Sequence, residues 1–202
     1  GKTFTGLGVV KRMQRQGKNS VLIVVPDDKI AADWVESGVP LGLSISKLQD
    51  TKSAGSGIVI TTYANLGDND ALARRQWDMV VADGAHTLMQ SADGTVTGYL
   101  ANLRAITHHP DGAYQRHTML NRKDIDALAK LSEQIQANNK ILNNTDTVDA
   151  MMASVRAENE RLQKEADALA KKLREASDAV RAEVAEMQGA KRTRLLALSA
   201  TP

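Results

Sequence analysis

Three continuous apolar runs, separated by helical patterns, constrain the fold of this chain more than any other feature. They are "SVLIVV" at residues 20–25, "GIVITT" at residues 57–62 and "MVVA" at residues 79–82. None of them shows the regular polar and apolar alternation of a strand with one face in water. Continuous apolar runs of this length are typical of parallel strands that helices cover on both faces. The sequence therefore predicts an α/β fold with a parallel sheet.

Helical patterns between these runs support the same fold. Apolar residues spaced three apart predict a helix over residues 3–16, and a second helix is predicted over residues 29–36. Weaker strands are expected at residues 43–46 and 195–199. Strands that alternate with helices are joined by right-handed crossovers, which makes neighbouring strands parallel.

Residues 121–189 have a different texture, rich in Ala, Glu, Lys, Arg, Leu and Asn and free of proline and tryptophan. Spacings of four and three residues over residues 148–187 are typical of a coiled-coil seam. The seam positions are Val148, Met152, Val155, Asn159, Leu162, Ala166, Leu169, Leu173, Ala176, Val180, Glu183 and Met187. A shorter apolar series precedes them, and "NNTDT" at residues 143–147 is typical of a turn. We therefore expect an antiparallel α-helical coiled-coil hairpin.

The chain thus divides into an α/β domain at residues 1–120 and 190–202 and an inserted hairpin at residues 121–189. Such an insertion would project as an arm that clamps a duplex, contacts a coiled-coil partner or dimerises. The polar Asn159 in the seam would then set the register of the helices at some cost in stability. A rigid spacer with no partner of its own is the alternative.

Composition narrows the class of protein. The chain has no cysteine, which excludes disulfide frameworks and thiolate metal sites and fits a cytoplasmic protein. No apolar run approaches the roughly 18 residues that a membrane span needs, so we expect no membrane partner. The net charge of +2 does not by itself indicate nucleic acid. The start at Gly1, with no initiator methionine, suggests a fragment of a longer protein.

The first three residues, Gly1, Lys2 and Thr3, match the end of the phosphate-binding motif G-x-x-x-x-G-K-[ST]. In this motif a lysine at a helix N-terminus reaches the nucleotide phosphates, and the neighbouring hydroxyl binds Mg²⁺. Three residues alone are a weak signal. They gain weight because they open an amphipathic helix that leads into a buried strand.

Two further segments place polar residues at the ends of strands. Asp83 follows the run at residues 79–82, where α/β sheets bind ligands, and an aspartate there can hold Mg²⁺ opposite Thr3. The alternative is an ordinary aspartate that caps a helix. "SATP" at residues 199–202 follows the last predicted strand, and its alternative is a plain turn before Pro202.

Taken in order, five pieces resemble the first RecA-like domain of superfamily 2 helicases and translocases of the DEAD/DEAH type. The pieces are "GKT", "VVPDDKIAADW", "ITTYANL", "VVADGAH" and "LALSATP". The resemblance covers residues 1–89 and 191–202. "ITTYANL" and the tryptophan of "DDKIAADW" favour the restriction-enzyme, Snf2-like and strawberry-notch-like branches. The α/β domain is therefore expected to be a partial RecA-like, ATP-binding domain.

This resemblance implies a role for each matching residue. Gly1, Lys2 and Thr3 would bind ATP, Thr3 and Asp83 would bind Mg²⁺, and His86 would connect the nucleotide site to the neighbouring motif. Ser199 and Thr201 would couple the nucleotide state to a second RecA-like domain of the same full-length protein. Segments near residues 26–28 and 61–63 would contact the nucleic-acid backbone, with DNA favoured over RNA. The implied activity is that of an ATP hydrolase.

The main departure from the family pattern is Gly84, which stands where the family carries a glutamate. That carboxylate activates the attacking water, and its loss would lower hydrolysis about 10²–10⁴-fold while leaving nucleotide binding possible. We therefore expect no catalytic residue here and little turnover from this chain alone. The alternative is that Gly84 is only a turn residue.

Other functional classes fit the sequence in part. A non-catalytic interaction module, built on a decayed motor domain and a coiled-coil arm, would not need to bind nucleotide. A metabolic P-loop kinase has no reason to carry "SATP" or "ITTY". His108, His109 and His117 suggest a metal site, but no cysteine or close carboxylate pair completes it, so a polar loop is expected.

Overall fold

A computed structural model describes residues 1–48, 52–67, 69–88, 97–187 and 193–199, without the side chain of residue 87. The chain separates into two compact units. The first comprises Gly1–Leu120 with Glu186–Pro202, and the second comprises Asn121–Ala185.

The first unit is built around a five-stranded sheet in which every neighbouring pair of strands is parallel. The strands are β1 (Val21–Val25), β2 (Ile45–Lys47), β3 (Ile58–Thr62), β4 (Met79–Asp83) and β5 (Arg194–Leu198). Their order across the sheet is β2-β3-β1-β4-β5. The predicted α/β fold with a parallel sheet is confirmed.

Strand boundaries differ from the predicted ones by one or two residues. β4 includes Asp83, which pairs with Leu198, so this aspartate is the last residue of the strand and does not lie beyond it. β5 ends at Leu198, which leaves Ser199 outside the strand. Both shifts follow from pairing between β4 and β5, which a local pattern does not reveal.

Among its described residues the first unit has five α-helices, four of which supply the cores on the two faces of the sheet. They are α1 (Lys2–Arg15), α2 (Asp28–Gly38), α3 (Asp70–Arg74), α4 (Gly98–Ile106) and α5 (Ala113–Leu120). Val21, Ile23 and Val25 of β1 share one core with residues of α1 and α2, including Trp34. Leu22 and Val24 face the opposite core, which α3 and α4 supply. This two-sided burial explains the continuous apolar runs of the central strands.

Arg75 joins several segments near the amino ends of the strands. Its guanidinium donates to Ser20 Oγ (3.2 Å) and to the carbonyls of Ala54 (2.9 Å) and Gly57 (2.7 Å), and it stacks 4.0 Å above the Trp77 ring. Burial lowers the pKa of Arg75, and the Asp78 carboxylate opposes that shift. Arg75 thus holds the loop before β3 against the segment that leads into β4.

The second unit contains the helix α6 (Arg122–Leu142) and nearly all of the helix α7 (Asp149–Glu186). The last residue of α7 is assigned to the first unit. Leu131 packs with Leu162 and Ala166. Lys172 pairs with Asp124 (2.6 Å), and the Asn159 amide donates to Asn139 Oδ1 (2.8 Å). Residues that come later along α6 therefore contact residues that come earlier along α7.

Burial along α7 follows the predicted seam in part. Val155, Leu162, Ala166 and Val180 are buried, whereas Val148, at the predicted start of the seam, is 69% exposed. In the described parts of the chain, no helix combines the length and the apolar character that a bilayer crossing requires.

Candidate functional site

Four sequence pieces emerge at the same edge of the sheet. The register pairs Val25 with Thr62 and Asp83 with Leu198, so β1, β3, β4 and β5 all end at one level. The segments that follow these strands therefore begin side by side. In open parallel sheets this carboxyl edge is where ligands bind.

The N-terminus of α1 points to this edge. A Cβ atom on Gly6 would lie 3.0 Å from Leu198 Cδ1 at the end of β5, whereas Met13 Sδ lies 3.7 Å from Arg194 Nη1 at its start. The helix therefore runs beside β5 in the opposite direction. Lys2 lies about 6 Å beyond Gly6 along the axis, at a rise of about 1.5 Å per residue.

The first turn of α1 has the features of an anion site. Lys2 is exposed and Thr3 is partly buried. Gly1 is the N-cap and supplies no side-chain hydrogen bond, while its carbonyl accepts from Thr5 N (3.2 Å). The first N–H groups of a helix have no acceptor within it, and with the helix dipole they attract negative charge.

Asp83 is buried and held by two aromatic donors. Trp34 Nε1 donates to Asp83 Oδ2 (2.8 Å), and the Tyr63 hydroxyl donates to the Asp83 carbonyl (2.9 Å). Asp83 is 6% exposed and Trp34 is fully buried. Neither partner was predicted from the sequence, in which Trp34 served only to favour certain branches of the helicase superfamily. The signal available was a tyrosine directly after β3 and a tryptophan in the helix that follows β1, in a chain with only 3% aromatics.

Gly84 occupies a backbone conformation that favours glycine. Its φ is +70°, and a Cβ atom there would lie 2.9 Å from Pro26 Cγ and 3.7 Å from His86 Cε1. A side chain at this position would meet both backbone strain and the proline ring. Gly84 is therefore a turn residue as well as a position without a carboxylate.

The remaining predicted site residues have different surroundings. His86 is exposed within the 3₁₀ helix Ala85–Leu88, next to Gly84. Ser199 is exposed directly after β5, at the edge where Asp83 lies. Thr201 lies outside the described residues, so its predicted coupling role has no structural account.

In the two segments expected to contact nucleic acid, several side chains are buried or bond to other residues of the protein. Asp27 Oδ1 accepts from Ile30 N (2.9 Å) and caps α2, while Asp28 pairs with Lys47 (3.0 Å). Thr61 and Tyr63 are both 2% exposed. A backbone contact from this second segment would therefore fall to exposed neighbours, not to these two side chains.

The histidines after α4 serve local structure. His108 adopts a positive φ of 52° just beyond the helix, and His109 Nδ1 accepts from Asp111 N (3.1 Å), capping the 3₁₀ helix Pro110–Gly112. Across the described residues, no three His, Cys, Asp or Glu side chains come together as a metal site. Any Mg²⁺ ion at Asp83 would therefore depend on other ligands, such as a hydroxyl or phosphate oxygens.

Comparison with known families identifies the domain. The family described as "Type III restriction enzyme, res subunit" (ResIII) matches residues 1–116. The chain belongs to this family. The match spans more than half of the chain and supports a superfamily 2 helicase RecA-like domain, in agreement with the parallel sheet. A search of the curated proteins finds no match.

Proposed function

We propose that this ResIII domain is the nucleotide-binding half of an ATP-dependent nucleic-acid translocase or helicase. The observation that carries the proposal is the convergence of α1 and Asp83. The start of α1 lies at the carboxyl edge of the sheet, and Trp34 contacts both this helix, at Gly6, and Asp83. A phosphate-binding helix start and an acidic strand end at one edge suit a nucleotide with its metal ion.

Each residue has a distinct role in this proposal. Lys2 and the free N–H groups of the first turn of α1 bind the ATP phosphates, next to Gly1. Thr3 and Asp83 hold Mg²⁺, for which hydroxyl and carboxylate oxygens are suitable ligands. The carboxylate fits this role because its buried position limits water around it, while Trp34 occupies Oδ2. Bound Mg²⁺ would neutralise charge on the phosphates.

Hydrolysis is proposed to be weak because residue 84 supplies no general base. The glycine also lies against Pro26, so the position has no ready space for a longer side chain. His86 would connect the nucleotide site to neighbouring segments, and Ser199 with Thr201 would couple it to a second RecA-like domain. Binding without efficient turnover is therefore the expected behaviour of this chain.

The family name supports a nucleic-acid partner, and DNA is proposed because restriction systems act on DNA. The second unit would form an antiparallel coiled-coil hairpin inserted into the motor domain. The opposite order of the contacts between α6 and α7 supports this arrangement. The hairpin would serve as an arm toward a duplex or a coiled-coil partner, in a cytoplasmic protein.

Calorimetric titration of Mg-ATP into the chain and its Lys2→Ala variant tests the proposal. Removing the charged donor should weaken binding at least about tenfold, since hydrogen bonds to charged groups contribute about 1.5–3 kcal/mol. Lys11→Ala is the matched control, because Lys11 lies on the same helix and donates to Gln14 (3.2 Å). Equal binding by the wild type and Lys2→Ala, or no saturable binding, would overturn the proposal. The interaction-module alternative would then remain.

Phosphate release tests the second part of the proposal. Gly84→Glu introduces the missing carboxylate, but the positive φ and the contact with Pro26 oppose it. We therefore expect a measurable gain only when Pro26→Ala accompanies Gly84→Glu. If the unmodified chain hydrolyses ATP as fast as the double variant, Gly84 does not limit turnover.

A further inference from the structure

We propose that Trp34 is a positioning residue that orients Asp83 for Mg²⁺ and sets the spacing between Asp83 and the phosphate-binding helix. This inference rests on the proposed nucleotide site and assigns it a residue outside the expected phosphate and metal ligands. Trp34 is fully buried and comes from α2, 49 residues before Asp83 in the chain.

The hydrogen bond selects one oxygen of Asp83 for the metal. An indole N–H only donates, and an ionised carboxylate only accepts, so the contact at Oδ2 (2.8 Å) has one polarity. The indole nitrogen cannot bind a metal ion in place of the carboxylate. With Oδ2 bound to Trp34, Oδ1 is the oxygen best placed to ligate Mg²⁺. A donor that orients a ligand in this way typically changes metal affinity about 10–100-fold.

The opposite end of the Trp34 ring contacts the phosphate-binding helix. A Cβ atom on Gly6 would overlap Trp34 Cη2, so the ring packs directly on the helix where glycine leaves room. Gly6 lies about one turn after Lys2 and Thr3. One rigid side chain therefore separates the helix that carries Thr3 from the strand that carries Asp83.

Tyr63 fixes the main chain of Asp83. Its hydroxyl donates to the Asp83 carbonyl (2.9 Å), and its ring packs against Tyr99 with centroids 5.5 Å apart. The backbone and the side chain of Asp83 are thus held by different segments. Trp34 controls the carboxylate, and this makes Trp34 the residue to test.

The test compares Trp34→Phe with Trp77→Phe. Both indoles are buried, and Trp77 Nε1 donates to the Leu72 carbonyl (2.9 Å), so each variant loses one buried hydrogen bond and keeps an aromatic ring. Calorimetry should show ATP affinity in Mg²⁺ falling at least about tenfold in Trp34→Phe, with affinity in EDTA unchanged. Trp77→Phe should change neither value. Equal losses in the two variants, or equal losses with and without Mg²⁺, would reduce Trp34 to a structural role.

A second measurement uses the metal alone. Titration with Mn²⁺ should broaden the indole N–H resonance of Trp34 more strongly than that of Trp77, because Trp34 Nε1 lies 2.8 Å from Asp83 Oδ2 whereas Trp77 precedes the amino end of β4. Asp83→Ala should abolish the broadening. Broadening without any nucleotide binding would retain the role of Trp34 and reject the proposed function. Nucleotide binding through Lys2 without selective broadening would support the proposed function and reject the role of Trp34.

Discussion

Gly84→Ala should destabilise the first unit by about 2–5 kcal/mol, the sum of a backbone and a steric cost. The positive φ of +70° costs a residue with a Cβ atom about 1–2 kcal/mol. The new methyl group would lie 2.9 Å from Pro26 Cγ, and forcing an atom into such a contact costs about 1–3 kcal/mol. The proline ring cannot rotate away, so the backbone of one segment must shift.

Gly84→Asn separates the two costs. Asparagine meets Pro26 with the same Cβ atom but tolerates the left-handed conformation better than alanine. We therefore expect Gly84→Asn to be about 1 kcal/mol more stable than Gly84→Ala. Pro26→Ala removes the ring atom, and the double variant with Gly84→Ala should recover about 1 kcal/mol relative to the sum of the single changes.

Urea denaturation followed by tryptophan fluorescence measures these differences, because Trp34 and Trp77 both lie in the first unit. A Gly84→Ala variant within about 0.5 kcal/mol of the wild type, the usual range for surface changes, would refute the requirement for glycine. Equal losses for alanine and asparagine would refute the contribution of backbone strain. The first result would also remove the reason for combining Pro26→Ala with Gly84→Glu.

Two further predictions concern residues away from the site. Arg75→Lys should lower the free energy of unfolding in urea by about 1–2 kcal/mol, because lysine cannot reproduce the forked hydrogen bonds and the stacking on Trp77. The exposed control Arg74→Lys should be neutral, and equal effects of the two changes would contradict the prediction. Asn159→Leu should raise the melting temperature, since within the described residues Asn159 Oδ1 is buried without a hydrogen-bond partner. A lower melting temperature would show that the hydrogen bond from the Asn159 side-chain amide to Asn139 contributes more than burial of leucine.

The sequence determined the parts of this protein that depend on local pattern. The apolar runs of β1, β3 and β4 predicted a parallel sheet, because strands covered on both faces must be apolar at every position. The order of the short motifs along the chain indicated the helicase class, which the family match supports. The position of Asp83 after a predicted strand indicated the part of an α/β sheet where ligands bind.

Only the tertiary structure decided how Asp83 and Gly84 are held. The bonds from Trp34 and Tyr63 to Asp83 cross 49 and 20 residues, and neither segment carries a local signal that names its partner. Gly84 combines a positive φ with close packing against Pro26, the residue that follows the neighbouring strand β1. Side-chain contacts of this kind depend on which strands become neighbours and in what register. Pairing between elements far apart in the chain sets both, and the pattern within each element does not.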